Sequence, residues 1–257
     1  MDRGVATASC TETAAAQIRP VTNAVESLLP CWQCGARSYG VCGGLARPEL
    51  PRLASLVTVA KASRGKIFIH EGASAEHFYI LIQGSAKLYK LLPDGRRQII
   101  GFGYVGSFLG LADSENYSFS AEAIEPMRMC SLSRRSLQSL LSHSGALQQC
   151  LLEVAIHELA LAQEHMMLLG RKTTIERVAS FLLSQTKCPQ PRGVLPPRIR
   201  LPMARGDIAD YLGVTLETIC RTIAKLAKRG VIAIPNVHEV VILDLSRLAA
   251  LAKGDCA

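Results

Sequence analysis

Residues 201–232 read LPMARGDIADYLGVTLETICRTIAKLAKRGVI. A short helix is predicted over 205–212. Gly213-Val214 then supplies a sharp turn. Thr215 caps the next helix, and Thr218 stands three residues on, where a full capping box carries Glu. That second helix runs to about Arg229 and ends at Gly230. Ile219, Ile223 and Leu226 share its inward face, while Glu217, Cys220 and Arg221 point outward near its N-terminal end. This is the pattern of a helix-turn-helix, whose second helix presents its N-terminal residues to base edges.

The charge around this motif agrees. Between Arg198 and Arg229 stand seven basic residues (Arg198, Arg200, Arg205, Arg221, Lys225, Lys228, Arg229) against three acidic ones (Asp207, Asp210, Glu217). Arg205 and Lys225 belong to this basic stripe, which phosphate contacts require. Val231–Ile234 and Val240–Leu243 are predicted to pair as the wing of a winged helix, turning near Pro235-Asn236. Upstream, Thr173-Thr174 can cap a helix bearing Ile175, Val178, Ala179, Leu182 and Leu183. Residues 188–198 hold four prolines and read as a loop.

Further upstream, residues 145–170 are predicted as one long helix of roughly 37 Å. Leu152, Ala155, Leu159, Ala162, Met166 and Leu169 alternate at spacings of three and four. That is the seam of a two-stranded coiled coil, so a homodimer is expected.

Composition sets the bounds. The chain has 257 residues, 49% of them hydrophobic, and a formal charge of +8, which suits an anionic partner. No run approaches about 18 uncharged apolar residues, so no membrane-spanning helix is expected. The first thirty residues lack the apolar core of a signal peptide, so a cytoplasmic location is expected. Nine cysteines in that compartment point to metal or redox chemistry rather than disulfides.

Residues 1–29 read as a flexible leader containing Cys10. Then comes CWQCGARSYGVCGGL, with Cys31, Cys34 and Cys42 spaced Cys-x2-Cys-x7-Cys. Glycines 35, 40, 43 and 44 let the backbone wrap closely. Clustered thiolates are soft ligands, and the box by itself is open to zinc and iron–sulfur alike. Three cysteines leave a fourth position to be filled from elsewhere. Trp32 and Tyr39 are expected to pack on the following domain.

That domain is β-rich. After a short helix over 48–59, strand signals run from Lys61 to Leu132: 67–69, two strands within 78–91 divided near Gln83-Gly84, 98–102, 121–124 and 127–132. Pro93-Asp94-Gly95 marks a turn. Many short strands with regular turns imply a jelly roll or barrel. His70 and His77 could serve a haem.

This stretch resembles the effector domain of the CRP/FNR superfamily of bacterial regulators, and the likeness to its FNR and FixK group covers about residues 31–250. The resemblance implies an α+β architecture: a leader (1–29), a cysteine box and β-roll sensor (30–144), a dimerisation helix (145–170) and a winged helix-turn-helix (171–257). Nucleotide-binding members are similar to Gly-Glu-Leu followed by Arg-Ser/Thr-Ala. Here Gly106-Ser107-Phe108 and Phe119-Ser120-Ala121 stand instead, without either charged group, so no cyclic nucleotide is expected.

In the oxygen-sensing branch a distant cysteine in the last strand completes the N-terminal trio. PMRMCSL resembles that element, which implies Cys130 as fourth ligand, with Cys150 and Cys188 as other candidates, and a [4Fe-4S] cluster as cofactor. Zinc and haem are the alternatives. The resemblance also implies that Arg221 donates to guanine and Glu217 accepts from cytosine within TTGA-like palindromic half-sites. Thr215 and Thr218 flank these readers. Cys220 replaces the serine of the family pattern. A thiol there, near a helix N-terminus and basic groups, is also a candidate redox switch. The seam carries Ala162 where the family has an acidic residue, which implies a dimer less dependent on the cluster. RNA polymerase is the further partner of such an activator. No nucleophile–base constellation or phosphate-binding glycine loop suggests an enzyme, and an electron carrier does not need a helix-turn-helix.

Overall fold

The computed structural model describes residues 31–112, 115–186 and 198–254. The expected leader, Cys10, Cys188 and most of the proline-rich loop lie outside the described residues.

The cysteine box folds as short 3-10 turns at Cys31–Gln33, Gly35–Ser38, Val41–Gly44 and Arg47–Glu49. Helix α1 (Leu50–Leu56) follows. Eight strands come next: β1 (Val57–Ala62), β2 (Ile67–Ile69), β3 (His77–Gln83), β4 (Ala86–Leu91), β5 (Arg97–Gly103), β6 (Phe108–Leu109), β7 (Ser120–Ala123) and β8 (Met127–Ser133). They form two four-stranded sheets, ordered β1-β8-β3-β6 and β2-β7-β4-β5. Every pairing in both is antiparallel. The expected jelly roll is present. Its first strand begins at Val57, where strand signals were expected only from Lys61. The β-branched run Val57-Thr58-Val59 prefers extended backbone and pairs with Leu132, Ser131 and Cys130 of β8.

Strand alternation splits the first sheet into two faces. Tyr79, Leu81, Met127 and Met129 point into the roll and pack with Phe68, Ala121 and Ala123. Phe78, Ile80, Cys130 and Leu132 point to the outer face, where Val41, Leu45, Leu50, Leu53 and Leu147 cover them. The cysteine box therefore sits outside the roll.

Helix α2 (Arg134–Leu141) is capped by Ser133, whose hydroxyl accepts from the Ser136 amide. Helix α3 (Gly145–Arg171) is capped by Ser144 in the same way, and its 27 residues span about 40 Å. Only Leu147 and Leu168, near its two ends, are buried. Between them Leu152 is 55%, Leu159 59% and Met166 64% exposed. Ile156 and Met167 add to this apolar surface. Leu169, the last residue of the expected seam, departs from it. It is half-buried against the C-terminal core, because α3 there turns into the next domain.

That domain contains α4 (Thr174–Thr186), β9 (Arg198–Arg200), α5 (Arg205–Leu212), α6 (Leu216–Lys228), β10 (Ile232–Asn236), β11 (Glu239–Ile242) and α7 (Leu245–Lys253). Two elements were not foreseen. The wing has a third strand, β9, paired with β11 through Ile199 and Val240. The chain also ends in a further helix, α7, which packs Leu248, Leu251 and Ala252 into the core beside α4.

The roll and the C-terminal domain meet along β5. Phe102 lies 5.4 Å from Tyr211 and 6.2 Å from Phe181, centroid to centroid. Arg97 reaches both Asp207 (3.0 Å) and Asp210 (2.7 Å) of α5. Lys87 of β4 joins Asp207 (3.2 Å) and Glu122 (3.1 Å). The Gln98 amide donates to the Asp210 carbonyl at 2.7 Å. On its other side α5 is held by α3, where the His165 ring stacks on Tyr211 at 4.2 Å and Nε2 stands 2.8 Å from the Tyr211 carbonyl.

Candidate metal centre and nucleic-acid interface

Cys31, Cys34, Cys42 and Cys130 line one cavity together with Ala36, Arg37, Leu53, Val57, Ile80 and Ile82. It is a small hollow, part of it open to solvent. Three thiols come from the 3-10 turns of the box and the fourth from the outer face of β8. The turns press close to their surroundings. A β-carbon at Gly40 would strike the Gly106 carbonyl, and one at Gly43 would stand 2.9 Å from the Arg37 carbonyl oxygen. Cys150 does not line the cavity; its sulfur packs against Gly44 instead.

All six cysteines among the described residues are free thiols. Burial pushes Cys42 up to about 12. The neighbouring thiols Cys130, Cys31 and Cys34 add to that, and Arg37 opposes it. Burial also pushes Cys130 up to about 12, with Cys34 and Cys31 adding and Arg128 opposing. Cys31 is raised by burial and by Cys34. A coordinating metal would deprotonate such thiols outright. Four soft sulfur donors in an apolar cavity fit a thiophilic metal group. Among the described residues, no three His, Cys, Asp or Glu side chains converge as a single metal ion requires.

Trp32 was expected to pack on the roll. It is 54% exposed; Tyr39 is exposed as well, although its β-carbon lies close against the Gly106 backbone of the roll. His70 is exposed and His77 half-buried beside Tyr79, with 6.5 Å between ring centroids. Inside the roll, the Ser120 hydroxyl accepts from the Glu71 amide, and Phe119 packs on the core. Phe108 stacks on Phe78 at 5.3 Å on the outer face.

The helix-turn-helix is built as its residues dictate. Gly213 takes φ 62°, the left-handed conformation that the tight turn needs. The Thr215 hydroxyl accepts from the Thr218 amide at 3.2 Å and caps α6. Ile219, Ile223 and Leu226 are buried, while Glu217, Cys220, Arg221 and Lys225 are exposed. Arg221 lies 3.6 Å from Glu217 one turn away, a loose and exposed pair. The Thr218 hydroxyl turns to Thr215 at 2.8 Å, which makes it part of the cap rather than of the outer face.

The basic stripe is narrower than the sequence count. Arg198 pairs with Glu239 at 2.8 Å, and Arg200 with Glu125 at 2.7 Å. Arg205 is half-buried near Cys220, with Nη1 unpartnered. Arg221, Lys225, Lys228 and Arg229 remain exposed on α6 and its end. Of the three acidic residues, Asp207 and Asp210 are turned to the roll and neutralised by Lys87 and Arg97.

Sequence reading passed over Arg37 and the Lys87–Arg97 contacts. Arg37 had a signal, being the only charged residue between Cys31 and Cys42. Lys87 and Arg97 had none, since their partners on α5 lie more than a hundred residues away.

Residues 59–144 match the cyclic nucleotide-binding domain family, and residues 176–251 match the Crp-like helix-turn-helix domain. The nitrogen fixation regulation protein FixK of Bradyrhizobium diazoefficiens is 40% identical over 86% of this chain and 93% of its own. The transcriptional activator protein FnrL of Cereibacter sphaeroides is 31% identical over 88% and 92%. The solved structure of FixK2 from Bradyrhizobium japonicum superposes with a TM-score of 0.71 at 35% identity, covering 78% of this chain and 98% of that one. With a jelly roll, a long exposed helix and a winged helix-turn-helix in this order, the chain belongs to the CRP/FNR family of DNA-binding transcription regulators.

Proposed function

We propose that the protein is an oxygen- or redox-responsive transcription activator in which Cys31, Cys34, Cys42 and Cys130 hold an iron–sulfur cluster of [4Fe-4S] type. The site then governs pairing of two chains along α3 and binding to TTGA-like palindromes. The observation that carries this reading is the meeting of four thiols, three from the box and one from β8, on one cavity beside the N-terminal end of α3. Four thiols lining one apolar cavity are the soft donor set that an iron–sulfur cluster takes. When bound, the cluster supplies an oxidisable iron–sulfur centre.

The chain's own residues do the rest. Leu53, Val57, Ile80 and Ile82 keep the cavity apolar. Leu152, Ala155, Ile156, Leu159, Ala162 and Met166 form the exposed stripe that a second copy covers by two-fold symmetry. Such a dimer sets two α6 helices about one DNA turn apart, roughly 34 Å. Arg221 donates to guanine and Glu217 accepts from cytosine. Lys225, Lys228 and Arg229 meet phosphates. Cys220, beside them, adds a thiol whose oxidation would obstruct the reading face. RNA polymerase is the partner that activation requires.

The test is an ultraviolet–visible spectrum of anaerobically purified protein during titration with air, with operator binding followed in parallel. Visible charge-transfer absorption that bleaches as DNA affinity falls is expected. A colourless, zinc-loaded protein with air-insensitive binding, or a Soret band, would overturn the cluster.

A further inference from the structure

We propose that Arg37 is the positioning residue of the four-thiol cavity, bracing the loop that carries Cys34 and Cys42 while forming part of the cavity wall. The inference rests on the reading of that cavity as a metal-holding site.

Seven residues separate Cys34 from Cys42, and they belong to no sheet or long helix. Gly35, Gly40 and Gly43 raise the entropy lost when this loop is ordered. Its backbone hydrogen bonds are all local: Arg37 to Cys34, Tyr39 to Ala36, Gly43 to Gly40 and Leu45 to Cys42, each spanning three residues. None of these ties the Cys34 side to the Cys42 side. Arg37 does. Its Nε donates to the Cys42 carbonyl at 3.4 Å, and its Nη2 donates to the Leu45 carbonyl at 2.6 Å.

One of these acceptors belongs to a thiol-bearing residue itself, so the brace fixes the backbone from which Cys42 projects. The closure is tight. The Arg37 carbonyl oxygen comes within 2.9 Å of where a Gly43 β-carbon would be, and only glycine lets the two backbone segments meet. Arg37 also lines the cavity. Among the described residues it forms no ion pair with a carboxylate, and its guanidinium is engaged by the two loop carbonyls. A planar fork can serve two carbonyls and a cavity wall together; a lysine ammonium, a point charge on a flexible stem, cannot hold the same two acceptors in fixed geometry.

The test uses the full chain, stripped of metal and kept reduced, with cobalt(II) as probe. Wild type, Arg37→Ala, Arg37→Lys and Arg37→Gln are compared, with Arg47→Ala as a control on an exposed arginine of the same segment. The expected result is a loss of about 10–100-fold in cobalt affinity for Arg37→Ala, the usual cost of removing an outer support of a metal site. Its thiolate-to-cobalt absorption weakens as Cys42 drops out. Arg37→Lys and Arg37→Gln each recover part of the loss, and Arg47→Ala behaves as wild type. Metal-free Arg37→Ala keeps the wild-type circular dichroism and melting temperature. Wild-type affinity and spectrum in Arg37→Ala would overturn the proposal, and so would a loss of metal-free stability matching the loss of affinity. Failure of wild type to bind cobalt, together with failure to take up iron and sulfide on anaerobic reconstitution, would instead overturn the metal-site reading itself. A second variant, Gly43→Ala, pushes on the same closure and is expected to reproduce the Arg37→Ala spectrum. A wild-type spectrum from it would refute the closed-loop geometry.

Discussion

The backbone of Gly44 lies directly against the side chain of Cys150, so that a β-carbon on residue 44 would overlap the Cys150 sulfur and stand 2.9 Å from its β-carbon. The turn that carries Cys42 therefore rests on the second turn of α3 with nothing between. Gly44→Ala must push the loop off the helix, at about 1–3 kcal/mol for such overpacking. Cys150→Ala removes the nearer obstacle. In a double-mutant cycle read by thermal unfolding, the pair is expected to be more stable than the sum of the single changes, by roughly 0.5–3 kcal/mol. Strict additivity would mean that the two residues do not touch.

The charges that join the roll to α5 are unequal. Asp207 is buried, accepts from both Lys87 and Arg97, and also accepts from the Ala204 amide at 3.2 Å. Asp210 is a third exposed and meets Arg97 alone among the ion pairs. Asp207→Ala is expected to cost about 2–4 kcal/mol, combining a lost cap with two half-buried cations that each keep only one carboxylate partner. Asp210→Ala should cost under about 1 kcal/mol. Urea unfolding checks the order, and a larger loss at Asp210 would refute it.

His165 makes the α3–α5 contact sensitive to acid. Burial holds its imidazole below the usual histidine range, against a smaller opposing effect of the Tyr211 carbonyl. A base depressed on folding contributes stability above its unfolded value, and that contribution disappears as pH falls through its folded value. Melting temperature should therefore fall on acidification below about pH 6.5, with a shallower fall in His165→Phe. Parallel profiles for the two proteins would count against the contact.

On the reading helix, Arg221→Ala is expected to cost about 1–3 kcal/mol and to relax discrimination at one base pair, whereas Lys225→Ala should weaken all sequences alike and flatten the salt dependence by about one unit. Cys220→Ser separates a redox role from simple replacement. If peroxide lowers operator affinity in Cys220→Ser as much as in wild type, the thiol is not the sensor.

The stripe on α3 is tested by Leu159→Glu, which places a charge at the centre of an apolar face. Sedimentation should show the dimer weakened at least tenfold, since an uncompensated buried charge costs several kcal/mol. An unchanged dimer would move the interface elsewhere.

What could be read in the sequence was local or periodic. The turn at Gly213, the cap at Thr215, the inward triad of α6 and the bounds of α3 all follow from spacing within a few residues. Helix α7 was legible too, since Asp244 caps it, Gly254 ends it and Leu248 and Leu251 mark its face, but it was passed over. Strand β9 was hidden because three residues carry no period, and their role depends on β11 forty residues later. The basic count misled for a related reason. Arg198 and Arg200 are paired with carboxylates distant in sequence, so composition overstated the charge offered to DNA. The cysteine box was visible as three closely spaced thiols, whereas Cys130 needed the fold to show which face of β8 it occupies.

The thiol cavity lies on the outside of the first sheet, and the roll's interior is packed independently by Phe68, Tyr79, Leu81 and Met129. Cavity and structural core are thus separable in this architecture. Substitutions in the thiol-bearing loop can reshape the cavity without repacking the barrel, and core substitutions can alter durability without touching the cavity. A scaffold divided in this way can vary one part while the other stays as it is.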